Sequence, residues 1–200
     1  MSRIILASAS PRRRELLTQI GLKFEIIPSH KEEDMRGNRP AQVVMGLAAD
    51  KAGDIFAQIG GAAQPDVLVI GADTIVALDN IILGKPKDEA DALKMLQFLQ
   101  GKTHQVYTGV CMMTADMTQM FYEKTDVAMY PAEEEQLREY IRTGEPMDKA
   151  GSYAIQGRGS VFIREIHGDY NNVVGLPVAQ IWQRLMKDEM TRKIVLENKE

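Results

Sequence analysis

A chain of 200 residues, 44% hydrophobic and 26% charged, has the composition of an ordinary globular protein and is long enough to bury one sizeable core. Its net charge of -4 argues against a nucleic-acid polymer as partner, which would need a broad cationic footprint, but a few local cations suffice for one nucleoside triphosphate. No run approaches the ~20 apolar residues that span a bilayer, the apolar start reads as a strand rather than a signal peptide, and a single cysteine, Cys111, fits a reducing compartment; the expectation is a cytoplasmic protein with no membrane partner.

In chain order, Arg3 to Ala7 predicts a strand, and Ser8-Ala9-Ser10-Pro11 turns it into a helix with Ser10 as N-cap, Pro11 at the first helical position and Gly21 as the stop. Arg12, Arg13 and Arg14 then oppose the helix dipole. They fit an anion seated in that first turn, where free N–H groups, the Ser8 and Ser10 hydroxyls and guanidinium forks converge, or else a solvated basic patch. Phe24 to Ile27 predicts a short strand, followed by a loop with Glu32, Glu33 and Asp34, whose oxygens suit Mg²⁺ or Mn²⁺. Pro40 to about Gln58 has helical spacing, with Val43, Val44, Leu47, Ala48 and Ile55 inward and Lys51 on the flank, facing either a cleft or solvent.

The stretch Val67-Leu68-Val69-Ile70-Gly71-Ala72-Asp73-Thr74 reads as a buried strand covered on both faces and delivering Asp73 to a cleft. Gly71 and Ala72 would leave room there for a ligand or metal; alternatively Asp73 caps a turn. Asp79-Asn80 predicts a hairpin returning through Ile81-Ile82-Leu83 to Gly84-Lys85. Asp88 caps a helix to about Gln100, His104–Met113 and Met120–Ala128 pair as antiparallel strands, and Ala132–Arg142 is an amphipathic helix. The segment from Glu145 to Gly157 reads as a loop entering a strand and a second cleft wall. A hairpin is expected from Val161 to Val174, a helix from Pro177 through Leu185, and a solvated end past Met190. The expectation is thus one α/β domain over residues 1–190 and a charged tail over 191–200.

Gly101-Lys102-Thr103 follows a helix and lacks the first glycine of a phosphate loop, and Gly157-Arg158-Gly159 lacks the third glycine of a dinucleotide fingerprint. There is no Gly-x-Ser-x-Gly elbow, and His30, His104 and His167 have no metal-ligand spacing. Arginines at a helix start, separated lysines and carboxylates near a strand end suit metal-assisted phosphoryl or nucleotidyl chemistry.

On these residues the chain resembles the Maf family of nucleoside triphosphate pyrophosphatases. The motifs are Leu6-Ala7-Ser8-Ala9-Ser10-Pro11-Arg12-Arg13, Gly71-Ala72-Asp73-Thr74-Ile75-Val76, Leu83-Gly84-Lys85-Pro86, His104-Gln105-Val106-Tyr107-Thr108-Gly109-Val110 and Gly144-Glu145-Pro146-Met147-Asp148-Lys149-Ala150-Gly151. Asp148-Lys149-Ala150-Gly151 with Ile155-Gln156-Gly157 is similar to the branch acting on dTTP and UTP rather than on 7-methyl-GTP. The resemblance implies an elongated mixed β-sheet flanked by helices, with two lobes and a central cleft, a homodimer, a divalent cation (Mg²⁺ or Mn²⁺), and hydrolysis to the monophosphate and pyrophosphate. It implies Asp73 as catalytic proton acceptor, Arg12, Thr74 and Gln156 in substrate selection, Ser8, Arg13, Lys51 and Lys85 on phosphates, and Glu33 with Asp73 at the metal. Two positions depart from the family pattern: His30-Lys31-Glu32-Glu33 stands where Asp-x-Asp-Glu is usual, and Asp50 precedes Lys51 where glutamate is common. A nucleotidyltransferase would need a glycine-rich turn that Ser8-Ala9-Ser10-Pro11 is not, whereas a nucleotide-binding regulator of septum formation without turnover is the other reading.

Overall fold

The computed structural model describes residues 2–31, 37 and 39–199. The first half contains β1 (Arg3–Leu6), α1 (Pro11–Gln19), β2 (Glu25–Ile26), α2 (Pro40–Gln58), β3 (Val67–Leu78), β4 (Ile81–Leu83) and α3 (Glu89–Leu99). Then follow β5 (Thr103–Met113), β6 (Thr118–Met129), α4 (Glu134–Ile141), β7 (Ile163–His167), α5 (Tyr170–Val174), α6 (Val178–Leu185) and α7 (Glu189–Glu197). One mixed sheet has the order β2-β1-β3-β5-β6-β7, with β4 also on β3. The β1 pairings are parallel and all others antiparallel. Among the described residues, no helix is long and apolar enough to cross a membrane.

Side chains alternate across β3, so its two faces meet different helices. Val67 and Val69 pack on Ala48, Ala52 and Ile55 of α2, and Ile75 packs on Val43, Val44 and Leu47. On the other face the core divides. Leu68, Ile70 and Ala72 join Leu16 and Leu17 of α1, Ile181 and Leu185 of α6, and Ile194 and Val195 of α7. Val76 and Leu78 join Leu93, Leu96 and Leu99 of α3 and Leu137 and Ile141 of α4. Burying each such large side chain stabilises by roughly 1.5–3 kcal/mol, so each half has an apolar core of its own while sharing β3 and β5.

The glycines in the central strands serve this packing. A Cβ on Gly71 would lie 2.4 Å from the Ala48 carbonyl oxygen, and one on Gly109 would lie 2.2 Å from that of Val44. The room left by Gly71 is therefore filled by the α2 backbone, not by a ligand. The Asp79-Asn80 turn is as expected, with φ of 51° and 63° at its two residues.

Three expectations are corrected. The segment from Val161 to Val174 is not a hairpin: β7 is followed by the short helix α5, because the Asp169 carboxylate accepts the Asn171 N–H at 2.8 Å and caps it. The stretch after Glu145 does lead into a strand, β7, but it is not a plain loop: it runs through short 3-10 turns at Glu145–Asp148, Ala150–Ser152 and Arg158–Phe162 first. Residues beyond Met190 are not a solvated tail. Asp188 caps α7, Ile194 and Val195 are fully buried, and Lys23 N–H donates to the Asn198 carbonyl at 2.7 Å. The alternation of charged and apolar residues there is an amphipathic helix read as a charge run.

Gly109→Ala should destabilise the fold by about 1–3 kcal/mol in urea denaturation, since α2 must lift from the sheet to admit one methyl group. An unchanged midpoint would show that α2 does not rest on the sheet there.

Candidate active site

The site is built where β3 changes neighbours. β5 lines one edge of β3 from Val69 to Ala77. On the other edge β1 makes its last pairing at Leu6 opposite Ile70, and β4 begins at Leu83 opposite Val76. Among the described residues, no strand pairs with Gly71–Ile75 on that edge. The chain leaving β1 carries Ser8, Ser10, Arg12 and Arg13, and the chain leaving β4 carries Gly84 and Lys85, so both basic segments enter the gap from opposite ends. Asp73 is thus mid-strand, not at a strand end, beside the stretch of β3 edge that no described strand pairs.

Asp73 is buried, at 7% exposure, on the α2 face of the sheet. Its Oδ1 accepts the Lys51 ammonium in a close, largely buried ion pair, and no described group bonds its Oδ2. The lysine on the α2 flank therefore faces the cleft. Such a pair is held by low-dielectric surroundings, and removing either partner would leave the other charge uncompensated. Asp50, before it, pairs with Lys31 at 2.9 Å.

The opposite face carries a polar row between the two halves of the core. Arg13 is 9% exposed; its Nε donates to the Gly175 carbonyl at 2.9 Å, one terminal nitrogen to Ser8 Oγ at 3.1 Å and the other to Thr74 Oγ1 at 3.1 Å. Thr74 Oγ1 also lies 2.9 Å from Thr108 Oγ1, whose hydroxyl donates to the Asn172 carbonyl at 3.0 Å. Arg13 and Ser8, expected on phosphate, are thus part of an internal network joining α1, β3 and the α5–α6 connection. Thr74 points away from Asp73, as strand alternation requires. Lys85 is exposed and among the described residues makes no ion pair.

A second wall comes from the turns after α4. Gly151 N–H donates to the Gly84 carbonyl at 3.0 Å, which places this segment beside Lys85. Arg12 reaches Asp148 at 3.5 Å, an ion pair between α1 and this second wall. Burial disfavours the Asp148 charge, but the Lys149 ammonium at 2.5 Å, assisted by Arg12, holds its carboxyl below the usual range. Gln156 is exposed at the top of the wall. Beneath it, Tyr153 is anchored to the fully buried His104, whose Nε2 lies 2.7 Å from the tyrosine oxygen.

Of the sequence-derived candidates, Asp73, Lys51, Ser8, Arg12, Arg13, Thr74, Lys85 and Gln156 all border the gap or its two walls. Glu33 lies outside the described residues. Two open grooves are lined by none of these: about 680 Å³ beside α6, with Gln180 and Arg184, and about 560 Å³ beside the start of α2, with Tyr107 and Tyr122. Sequence reading missed the structural parts played by Thr108, Asn172 and Asp148. Small polar residues in an otherwise apolar strand were the signal for Thr108; nothing local marks Asn172.

A buried carboxylate paired with lysine, between two basic chain segments at a strand-switch in a mixed α/β sheet, defines a cleft suited to phosphorylated ligands. The family model for Maf-like proteins matches residues 3–188, and the chain belongs to that family. It is 54% identical to a dTTP/UTP pyrophosphatase of Agathobacter rectalis, with 94% of this chain and 98% of that protein covered. It is 49% identical to a dTTP/UTP pyrophosphatase of Bacillus cytotoxicus, with 92% and 95% covered. The Staphylococcus aureus Ham1 structure is similar over 64% of this chain and 72% of that one, at 17% identity and a TM-score of 0.45.

Two measurements follow from this geometry. Arg13→Ala should cost roughly 2–4 kcal/mol of stability, because it strands Ser8, Thr74 and Gly175 as partners, whereas Lys85→Ala should stay within about 0.5 kcal/mol. Equal losses in chemical denaturation would refute this division of labour. Burial pushes the His104 pKa down to about 4 from 6.5, with the Asp126 charge only partly opposing it. An unfolded histidine binds its proton below about 6.5, so the unfolded chain holds more protons between these values, and stability falls as pH falls through the window. On the order of 1–2 kcal/mol should be lost between about pH 6.5 and 5, above the range where carboxylates contribute. The double variant His104→Phe with Tyr153→Phe should flatten that slope; a persisting slope would assign it elsewhere.

Proposed function

We propose that this protein is a nucleoside triphosphate pyrophosphatase that hydrolyses dTTP and UTP, and modified pyrimidine nucleotides of the same shape, to the monophosphate and pyrophosphate. The observation that carries the reading is Asp73, buried against Lys51 in the β3 edge gap with basic chain segments entering from both ends. Membership of the Maf-like family and two relatives that are dTTP/UTP pyrophosphatases support it.

In this mechanism Lys51 fixes the Asp73 carboxylate, which orients a water and takes its proton as the oxygen attacks the α-phosphorus in line. The bond to the bridging oxygen breaks and pyrophosphate leaves with the bonding electrons. Lys85, Arg12 and the N–H groups at the start of α1 balance charge on the phosphates. Thr74 contributes by fixing Arg13, and Arg13 by fixing Ser8 and the entry to α1. Gln156 offers a donor and an acceptor to the N3–H and adjacent carbonyl of uracil or thymine.

Among the described residues no group of three or more acidic, histidine or cysteine side chains is assembled for a metal. Oδ2 of Asp73, which no described group bonds, is nevertheless a hard oxygen donor of the kind Mg²⁺ and Mn²⁺ prefer. Asp73 and Glu33 would hold such a cation, which when bound would supply positive charge against the phosphate oxygens. A cytoplasmic homodimer completes the proposal, on the family resemblance.

Asp73→Asn should keep the fold and lower pyrophosphate release from dTTP and UTP by roughly a thousandfold or more. The test is pyrophosphate release in the presence of Mg²⁺ or Mn²⁺, alongside a thermal melt. A folded variant with near wild-type turnover would rule out the role of Asp73, and nucleotide binding by the wild type without release would favour the regulator.

A further inference from the structure

We infer that Glu145, backed by Tyr140, is a positioning residue for base selection: it holds the loop that presents Gln156 and thereby sets which pyrimidine edge is accepted. This rests on the function proposed above and assigns a role to two residues that touch neither phosphate nor base.

Glu145 opens the first turn of the second wall, and its half-buried carboxylate points back toward α4. Oε1 accepts the Tyr140 hydroxyl at 2.9 Å and the Gly159 N–H at 2.9 Å, while Oε2 accepts the Arg158 N–H at 3.0 Å. The Tyr140 oxygen in turn accepts the Ala154 N–H at 3.0 Å. One carboxylate and one phenol thus grip the backbone before Gln156, at Ala154, and after it, at Arg158 and Gly159. The gripped chain comes unusually close. A Cβ on Gly157, where φ is 87°, would lie 2.4 Å from Glu145 Oε2, and one on Gly159 would lie 2.6 Å from the Tyr140 oxygen. Glycine at both positions is what lets the loop close down on the pair.

Gln156 itself is exposed and, among the described residues, makes no side-chain hydrogen bond. The grip on the backbone therefore sets where its amide stands. A turning amide can meet a uracil or a cytosine edge, so selection rests on how the backbone places it against the bound base. Charge suits the task too. Burial disfavours the Glu145 anion, but the two N–H groups and the hydroxyl outweigh it and hold the carboxyl below the usual range. An ionised carboxylate is acceptor-only, matching three donors; a carboxamide would turn its own N–H₂ toward one of them. The segment has a separate anchor, at Tyr153 and His104, that does not involve Glu145.

The experiment compares kcat and KM for dTTP and dCTP in the wild type, Glu145→Gln, Tyr140→Phe, Gln156→Ala and the Glu145→Gln/Gln156→Ala double variant. Glu145→Gln should lower the dTTP preference roughly tenfold, through KM, with kcat within about threefold. Tyr140→Phe should shift it the same way. In the Gln156→Ala background Glu145→Gln should change the preference no further, because the residue it positions is gone. Should Glu145→Gln fail to fold, Tyr140→Phe keeps the carboxylate and both amide donors and carries the test alone. An unchanged preference, an equal kcat loss on both nucleotides, or full additivity with Gln156→Ala would overturn the inference while a selective wild type left the proposed function standing. A wild type that turns over no pyrimidine triphosphate would overturn both.

Discussion

The site depends on a change of partner along one edge of one strand. β3 is twelve residues long, and β5 supports its other edge over most of that length. On the open edge β1 stops opposite Ile70 and β4 starts opposite Val76. An unpaired strand edge normally invites unwanted pairing. Here the gap is short, lies inside the sheet, and is entered by the loops that leave β1 and β4. It sets a buried carboxylate beside the exits of two loops while keeping it on a rigid strand.

The same strand explains why the cations of the motifs do different jobs. Arg13 and Thr74 lie on the face where the core divides, and their bonds to Ser8, Thr108 and Gly175 fill the polar seam between two apolar clusters. A planar guanidinium fork serves these three acceptors in one fixed geometry, which the rotatable ammonium of a lysine does not. Asp73 lies on the other face, where α2 approaches closely enough for Lys51 to reach it. Adjacent residues in one motif thus serve opposite sides of the sheet: Asp73 pairs with Lys51 toward α2, and Thr74 bonds Arg13 in the seam.

Much of this was legible in the sequence. The apolar run marked β3, the Pro40–Gln58 spacing gave α2 with its observed ends, and Asp79-Asn80 gave the turn into β4. What escaped depended on distant contacts. Gly71 looked like space for a ligand, and only the path of α2 shows that the Ala48 carbonyl fills it. Arg13 resembled its neighbours Arg12 and Arg14, yet its three acceptors come from β1's exit, β3 and the chain after α5. The end of the chain was read by its charges, whereas Ile194 and Val195 decide its packing. The second wall offers no periodic pattern, because it is held by side chain to backbone bonds from Glu145 and Tyr140 rather than by a ladder.

The role proposed for Asp73, in the β3 gap, is to deliver water to the α-phosphorus. Hydrolysis of dTTP in water labelled with heavy oxygen, followed by mass analysis of both products, tests it most directly. One labelled oxygen is expected in the nucleoside monophosphate and none in pyrophosphate. Label in the pyrophosphate, or release of inorganic phosphate in its place, would contradict it.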